Sequence, residues 1–283
     1  MIPAYPVQQV LVQAEALRVE VLAHGVVRLA LTRPELRNAF DGPLVEALAR
    51  ALETLALLPP GELRLLLLEG EGRAFCAGAD LAHMRAVASG GEGANLEDAR
   101  SLERLFRRLA TFPAPVLCVV QGAALGGGLG LAACADIVLA EAGARFGAPE
   151  VRLGILPAVI GPYLVRRLGL SRAAPLILGG QPVDGIEAHR LGLVSRLVQS
   201  SETREAALAH LLAECLLAGP QAARRAKAIL LRICPVPDAE LAEVTVQAIA
   251  QARTSEEGLA GLEAFLDRRL PSWAAGLPGE GSP

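Results

Sequence analysis

Residues 109–135, LATFPAPVLCVVQGAALGGGLGLAACA, contain no Asp, Glu, Lys or Arg. A charge-free run of this length is long enough to cross a bilayer. Its composition points elsewhere. Pro113 and Pro115 stand near its start, Gln121 in its middle, and Gly126-Gly127-Gly128 interrupts it. Proline and glycine at this density suit a strand, a tight turn and a buried helix better than a span. The run therefore decides the fold in favour of a water-facing α/β protein. Residues Met1 to Gln13 lack a basic segment followed by an apolar one, so no signal peptide is read and a cytoplasmic location is expected.

Outward from that run, strands and helices alternate. Leu17–Val21 and Val26–Leu31 read as strands about a turn at His24-Gly25. Asp41-Gly42-Pro43 starts a helix with Leu44, Leu48, Leu52 and Leu55 on one face. Leu63 to Leu68 reads as a strand covered on both faces. A helix from Leu81, a surface loop at Gly90–Ala94 and a helix over Leu96–Leu109 follow. Next come a strand at Val116–Val120, the turn Gly122–Gly128, a helix Leu129–Ala135 and a strand Ile137–Ala140. This order argues α/β with short parallel strands. Beyond Gly192 the pattern turns helical, over 202–218, 220–232, 241–253 and 256–269, and the tail Pro278–Pro283 reads as disordered. Residues 1–200 are expected as the core and 201–283 as a helical appendage.

Of 283 residues, 52% are hydrophobic, 20% charged and 3% aromatic, and the net charge is −3. Nothing basic points to nucleic acid, and aromatics are too few for base-stacking platforms. Five cysteines at 76, 118, 134, 215 and 234 form no CxxC pair and read as reduced buried thiols. Four histidines at 24, 83, 189 and 210 show no metal-ligand spacing, so no metal is expected.

Two loops share a design. Ala77-Gly78-Ala79-Asp80-Leu81 and Gly126-Gly127-Gly128 each follow a strand and open a helix. Backbone N–H groups at a helix start have no partner within the helix, and small side chains let a ligand approach them. Facing each other, two such loops would make an oxyanion hole, helped by the helix dipole behind Gly127. A crowded helix–strand contact or a phosphate loop is the plainer alternative. No Gly-Lys-Ser/Thr follows, the third dinucleotide glycine is absent, and no G-x-S-x-G elbow occurs.

The segment Arg73 to Leu81, the run Pro115 to Gly128 continuing to Cys134-Ala135-Asp136-Ile137, and the loop Arg145 to Ile155 resemble motifs of the enoyl-CoA hydratase/isomerase (crotonase) superfamily. So do Arg37-Asn38-Ala39-Phe40 and Ala188 to Val194. Five motifs in order cover nearly the whole chain.

The resemblance implies a spiral of ββα units with a helical C-terminal oligomerisation region, as a homotrimer or homohexamer. It implies an acyl-CoA substrate, with CoA entering as part of the thioester and no resident cofactor. Hydration or dehydration of a 2-enoyl-CoA is the activity implied, through an enolate. Ala79 and Gly127 would give the oxyanion N–H groups and Glu150 the acid/base. CoA contacts fall to Arg37, Ala39, Ala77, Gly78, Ala79, Asp80, Leu81, Ala82, Gly126, Gly127, Gly130 and, from a neighbouring subunit, Arg268.

The usual second glutamate of the family would stand at Gly130. Glycine there is expected to free volume and remove charge beside the acyl group, which would suit a branched or carboxylated chain. The run Glu150 to Tyr163 looks like the branch acting on 3-methylglutaconyl-type esters, and Arg152 is a candidate partner for a substrate carboxylate, against a plain surface salt bridge. Two alternatives stand beside the hydratase: a Δ3,Δ2-enoyl-CoA isomerase using Glu150 alone, and an inactive acyl-CoA-binding or scaffold member.

Overall fold

The computed structural model describes residues 5–275. The expectations for residues 1–4 and for the tail Pro278–Pro283 lie outside them. The chain opens with strands β1 (Val7–Gln13), β2 (Leu17–Leu22) and β3 (Val26–Leu31), then helix α1 (Gly42–Ala56), strand β4 (Leu65–Gly70), and helices α2 (Leu81–Ser89) and α3 (Gly91–Ala110). Strands β5 (Val116–Val120) and β6 (Ala123–Leu125), helix α4 (Gly127–Cys134), and strands β7 (Ile137–Glu141) and β8 (Arg145–Gly147) follow. Helices α5 (Gly161–Leu168) and α6 (Leu170–Gly179), strand β9 (Val183–Asp184), helix α7 (Gly185–Leu191) and strand β10 (Arg196–Val198) complete the core. Four helices end it: α8 (Ser201–Leu216), α9 (Pro220–Ile233), α10 (Ala239–Thr254) and α11 (Glu256–Leu266).

Seven strands form one sheet in the order β1-β2-β3-β4-β5-β7-β10, and β6-β8-β9 form a second. From β3 onward the large sheet is parallel. Helices cover it, and the apolar runs follow from that: Leu65–Leu68 and Val116–Val120 are buried on both faces. The repeat is visible in how the chain leaves the large sheet. β5 is followed at once by β6 and then α4, and β7 by β8 and then a short 3-10 helix, Pro149–Leu153, and α5. After β4 the chain makes a single parallel bridge, Cys76 to Ala124, before α2; after β3 it makes one from Phe40 to Ala79 before α1. Each turn of the spiral is thus a large-sheet strand, a short second-layer strand or bridge, and a helix. This is the crotonase-type spiral that the motifs implied.

The charge-free run resolves into β5, β6 and α4, with α4 buried along nearly its whole length. Among the described residues no single helix is long and apolar enough to cross a membrane. The expected loop at Gly90–Ala94 is not one. Gly90 ends α2, and α3 begins at Gly91, so the glycines mark a joint between two helices. Buried Asn95 ties that joint, donating to the Val87 and Gly91 carbonyls at 2.9 Å each. Cys76, Cys118 and Cys134 are buried as expected, but Cys234 is exposed at the end of α9.

The lysine is also placed. Lys227, the only one in the chain, is 5% exposed and donates to Asp136 at 2.6 Å and to the Ala114 carbonyl at 3.1 Å, fastening α9 to the large sheet. The last two helices fold back over their own chain: α10 packs on α3, and α11 on the 3-10 helix that carries Glu150.

Candidate active site

Three consecutive turns of the spiral bring their helix starts to one place. Backbone bonds lace them together. Phe75 N–H donates to the Gln121 carbonyl, Cys76 N–H to Ala123, and Leu125 N–H to Cys76, all at 2.9–3.0 Å. On the other side Phe40 N–H donates to Gly78 at 2.7 Å, and Asp80 N–H to Phe40 at 2.6 Å. Gly78 (φ +98°) and Gly126 (φ +50°) meet face to face: a Cβ built on Gly78 would stand 3.1 Å from the Leu125 carbonyl and 3.9 Å from the Gly126 Cα. Only glycine holds both loops at that separation and in those conformations.

Ala79 and Gly127 follow directly. The amides around Ala79 are used, Ala77 donating to Arg37 and Asp80 to Phe40. Those of Ala79 and Gly127 donate to no acceptor among the described residues. Gly127 opens α4, so its amide also stands at the positive end of that helix. Asp80 caps α2, accepting from Ala82 and His83 at 2.9 and 3.0 Å, which fixes the Ala79 turn.

Glu150 lines the same cavity as this pair of residues. Its Oε1 lies against Gly126, and its Oε2 is buried without a hydrogen-bond partner. Burial pushes its carboxyl up to about 7, against the smaller pull of its own backbone N–H and of the Arg253 charge. The group is therefore poised to give and take a proton near neutral pH.

A cavity of 540 Å³ joins these parts. Arg37, Ala39, Ala77, Gly78, Ala79, Asp80, Leu81, Gly126, Gly127 and Glu150 line it. Ala82, Gly130 and Arg268 do not: Ala82 turns out on α2, Gly130 is buried inside α4, and Arg268 is exposed beyond α11 in its own chain. Gly130 frees no volume. A Cβ there would stand 2.5 Å from Ile160 Cγ2 and 2.8 Å from Phe106 Cε1, so these side chains already fill the space. Arg152 is not among the lining residues; its Nε donates to the Gly179 carbonyl at 3.1 Å, and it forms no salt bridge among the described residues. Ile155–Ile160 line the cavity, and Tyr163, outside the lining, has its ring centre 6.2 Å from that of Phe106.

Three lining residues escaped the sequence reading. His83 on α2, Asp98 on α3 and Arg253 on α10 converge, with Asp98 bonded at 2.6 Å to His83 Nε2 and at 2.6 Å to Arg253 Nη1. They are 15 and 155 residues apart from Asp98 in sequence, and no local pattern joins them.

The enoyl-CoA hydratase/isomerase family profile matches residues 22–276. The chain belongs to that family. Among its relatives, the 2,3-dehydroadipyl-CoA hydratase of Escherichia coli is 35% identical over 88% of this chain and 94% of its own. The cyclohexa-1,5-dienecarbonyl-CoA hydratase of Thauera aromatica is 32% identical over 88% and 93%. Pseudomonas aeruginosa AtuE, a solved structure, superposes with a TM-score of 0.75 at 36% identity, covering 92% of this chain and all of its own. Membership of the enoyl-CoA hydratase/isomerase family agrees with the hydratase-type enzyme class that the motifs implied.

Proposed function

We propose that the protein hydrates a 2-enoyl-CoA thioester, or dehydrates the 3-hydroxy ester in reverse. The observation that carries this is the buried, unpartnered Oε2 of Glu150 in the cavity that Ala79 and Gly127, with their free amides, also line. The thioester oxygen accepts from both amides. Ionised Glu150 takes a proton from water as the water oxygen bonds Cβ. The electron pair of the double bond moves onto the thioester oxygen as an enolate, where preorganised N–H donors are worth about 3–4 kcal/mol each. The same carboxyl then delivers its proton to Cα. The 2,3-dehydroadipyl-CoA hydratase among the relatives supports a carboxylated acyl chain as one substrate class.

A second reading rests on Gly130. With Ile160 and Phe106 filling the space beside it, Glu150 acts as a single carboxylate, which suffices to move a proton from C2 to C4 of a 3-enoyl-CoA. Assays of crotonyl-CoA hydration and of 3-enoyl-CoA isomerisation separate the two. Hydration lost in Glu150→Gln supports the first; isomerisation without hydration gives the second. Turnover of neither, with CoA-ester binding intact, leaves only a binding protein.

The reading includes a homotrimer or homohexamer working in the cytoplasm. Large apolar side chains stand exposed at the α8–α9 end, among them Leu217 (89%) and Ile233 (74%), and need cover. A stable monomer in sedimentation would contradict the assembly.

A further inference from the structure

Apart from Glu35, Arg37, Asp80 and Glu150, the charged or titratable side chains that line the cavity are His83, Asp98 and Arg253, which meet. Asp98 uses both carboxylate oxygens on its two neighbours, and its side chain is 11% exposed. Arg253 makes no other hydrogen bond among the described residues, so most of its donor fork is left over. The same holds for the second ring nitrogen of His83. All three residues line the cavity.

Their distance from the chemistry can be read along α3. Asp98, Leu102 and Phe106 recur at four-residue intervals on one face, and all three line the cavity. Phe106 packs beside Gly130, within the helix whose first amide is the Gly127 donor. Eight residues of helix place Asp98 about 12 Å along the axis from that point. Leu102, Val87 and Ile249 line the cavity as well and give apolar wall beside the cluster. An acyl chain anchored by its thioester at Ala79 and Gly127 would cross apolar wall and end at polar groups.

Those groups include guanidinium donors of Arg253 that no protein acceptor among the described residues uses. The hydrogen bond from Asp98 draws His83 upward, toward its protonated form, while His83 and Arg253 hold Asp98 below the usual carboxylate range against the cost of burial. The Asp98 carboxylate thus stands against the Arg253 guanidinium and an imidazole whose protonated form it favours. A planar anion with two acceptor oxygens complements a guanidinium fork, whereas a methyl terminus would leave buried donors unmet.

We propose that His83 and Arg253, positioned by Asp98, bind a carboxylate at the far end of the acyl chain. The site then selects ω-carboxylated acyl-CoA thioesters over methyl-terminated ones. This deepens the proposed hydration and rests on the same cavity, but its test does not depend on turnover. Affinities of adipyl-, suberyl- and sebacyl-CoA are measured by titration calorimetry, each against the methyl-terminated ester of equal length. At least one dicarboxylic ester is expected to bind about tenfold tighter, a preference of about 1.4 kcal/mol. That ratio collapses toward one in Arg253→Met and is partly kept in Arg253→Lys. Equal affinities throughout the series in the unaltered protein overturn the proposal, as does a ratio that Arg253→Met leaves in place. Should that variant not fold, His83→Leu on half-exposed α2 gives the same reading, with a lowered ratio expected and an unchanged one fatal. Failure of crotonyl-CoA hydration would strike the proposed activity and leave these ratios standing.

Discussion

Oε1 of Glu150 lies so close to Gly126 that a methyl group on that glycine would stand 3.0 Å from it. The carboxyl and the turn carrying the second oxyanion amide are therefore one packed unit. Changing either moves the other.

Gly126→Ala should accordingly lower kcat by two orders of magnitude or more, roughly the loss of one oxyanion donor. Two effects add: the new methyl displaces the carboxyl, and φ +50° with ψ −118° is strained for alanine, at about 1–3 kcal/mol. Steady-state kinetics with crotonyl-CoA, beside a melting curve showing a folded protein, check it. Near-normal kcat would contradict the packing described.

Glu150→Gln should cost roughly 10²–10⁴ in kcat, the range of general acid–base contributions. Its effect on stability runs the other way with pH. The folded carboxyl sits at about 7 against 4.5 when unfolded, so the unfolded chain releases its proton first. Stability from this group is full below about 4.5 and is lost as pH rises to about 7, by about 3 kcal/mol. The glutamine variant lacks that loss. Urea unfolding at several pH values should show its stability gaining on the parent between those limits and running parallel above them.

Restoring a second carboxylate by Gly130→Glu should fail. The first added carbon already meets Ile160 and Phe106, and overpacking of a close core costs about 1–3 kcal/mol. A lower melting temperature without a gain in hydration is expected. Pairing the change with Ile160→Ala should recover part of the stability.

Asn38 is a positioning residue for the first loop. It is fully buried, its Oδ1 accepts from Arg33 N–H, and its Nδ2 donates to the Glu71 and Ala74 carbonyls, each at 2.9 Å. Asn38→Ala leaves these backbone groups unmet, at about 1–3 kcal/mol. A fall in kcat larger than any rise in KM would mark displacement of the Ala79 amide; a fall in stability with kcat intact would leave Asn38 a purely structural part.

Much of this was legible in residue order. The run Leu65–Leu68 and the start of α1 at Asp41 follow from local rules, because apolar continuity and a capping carboxylate act within a few residues. The Gly90–Ala94 reading failed because glycine weakens a helix without forbidding one, and Asn95 holds the joint from inside. Gly130 was read as open space because a missing side chain is visible in sequence, whereas what packs against it is not.

The sequence by itself determined the alternating strands and helices and the two glycine-bearing loops, while the spiral and the role of Glu150 were implied by the resemblance of its motifs. Each is written in contiguous residues whose turn geometry and burial preference act locally. Only the tertiary structure decided that Ile160 and Phe106 close the space beside Gly130 and that His83, Asp98 and Arg253 meet. Those are contacts between helices far apart in the chain. Packing sets them, and packing depends on the whole folded core rather than on any short run of residues.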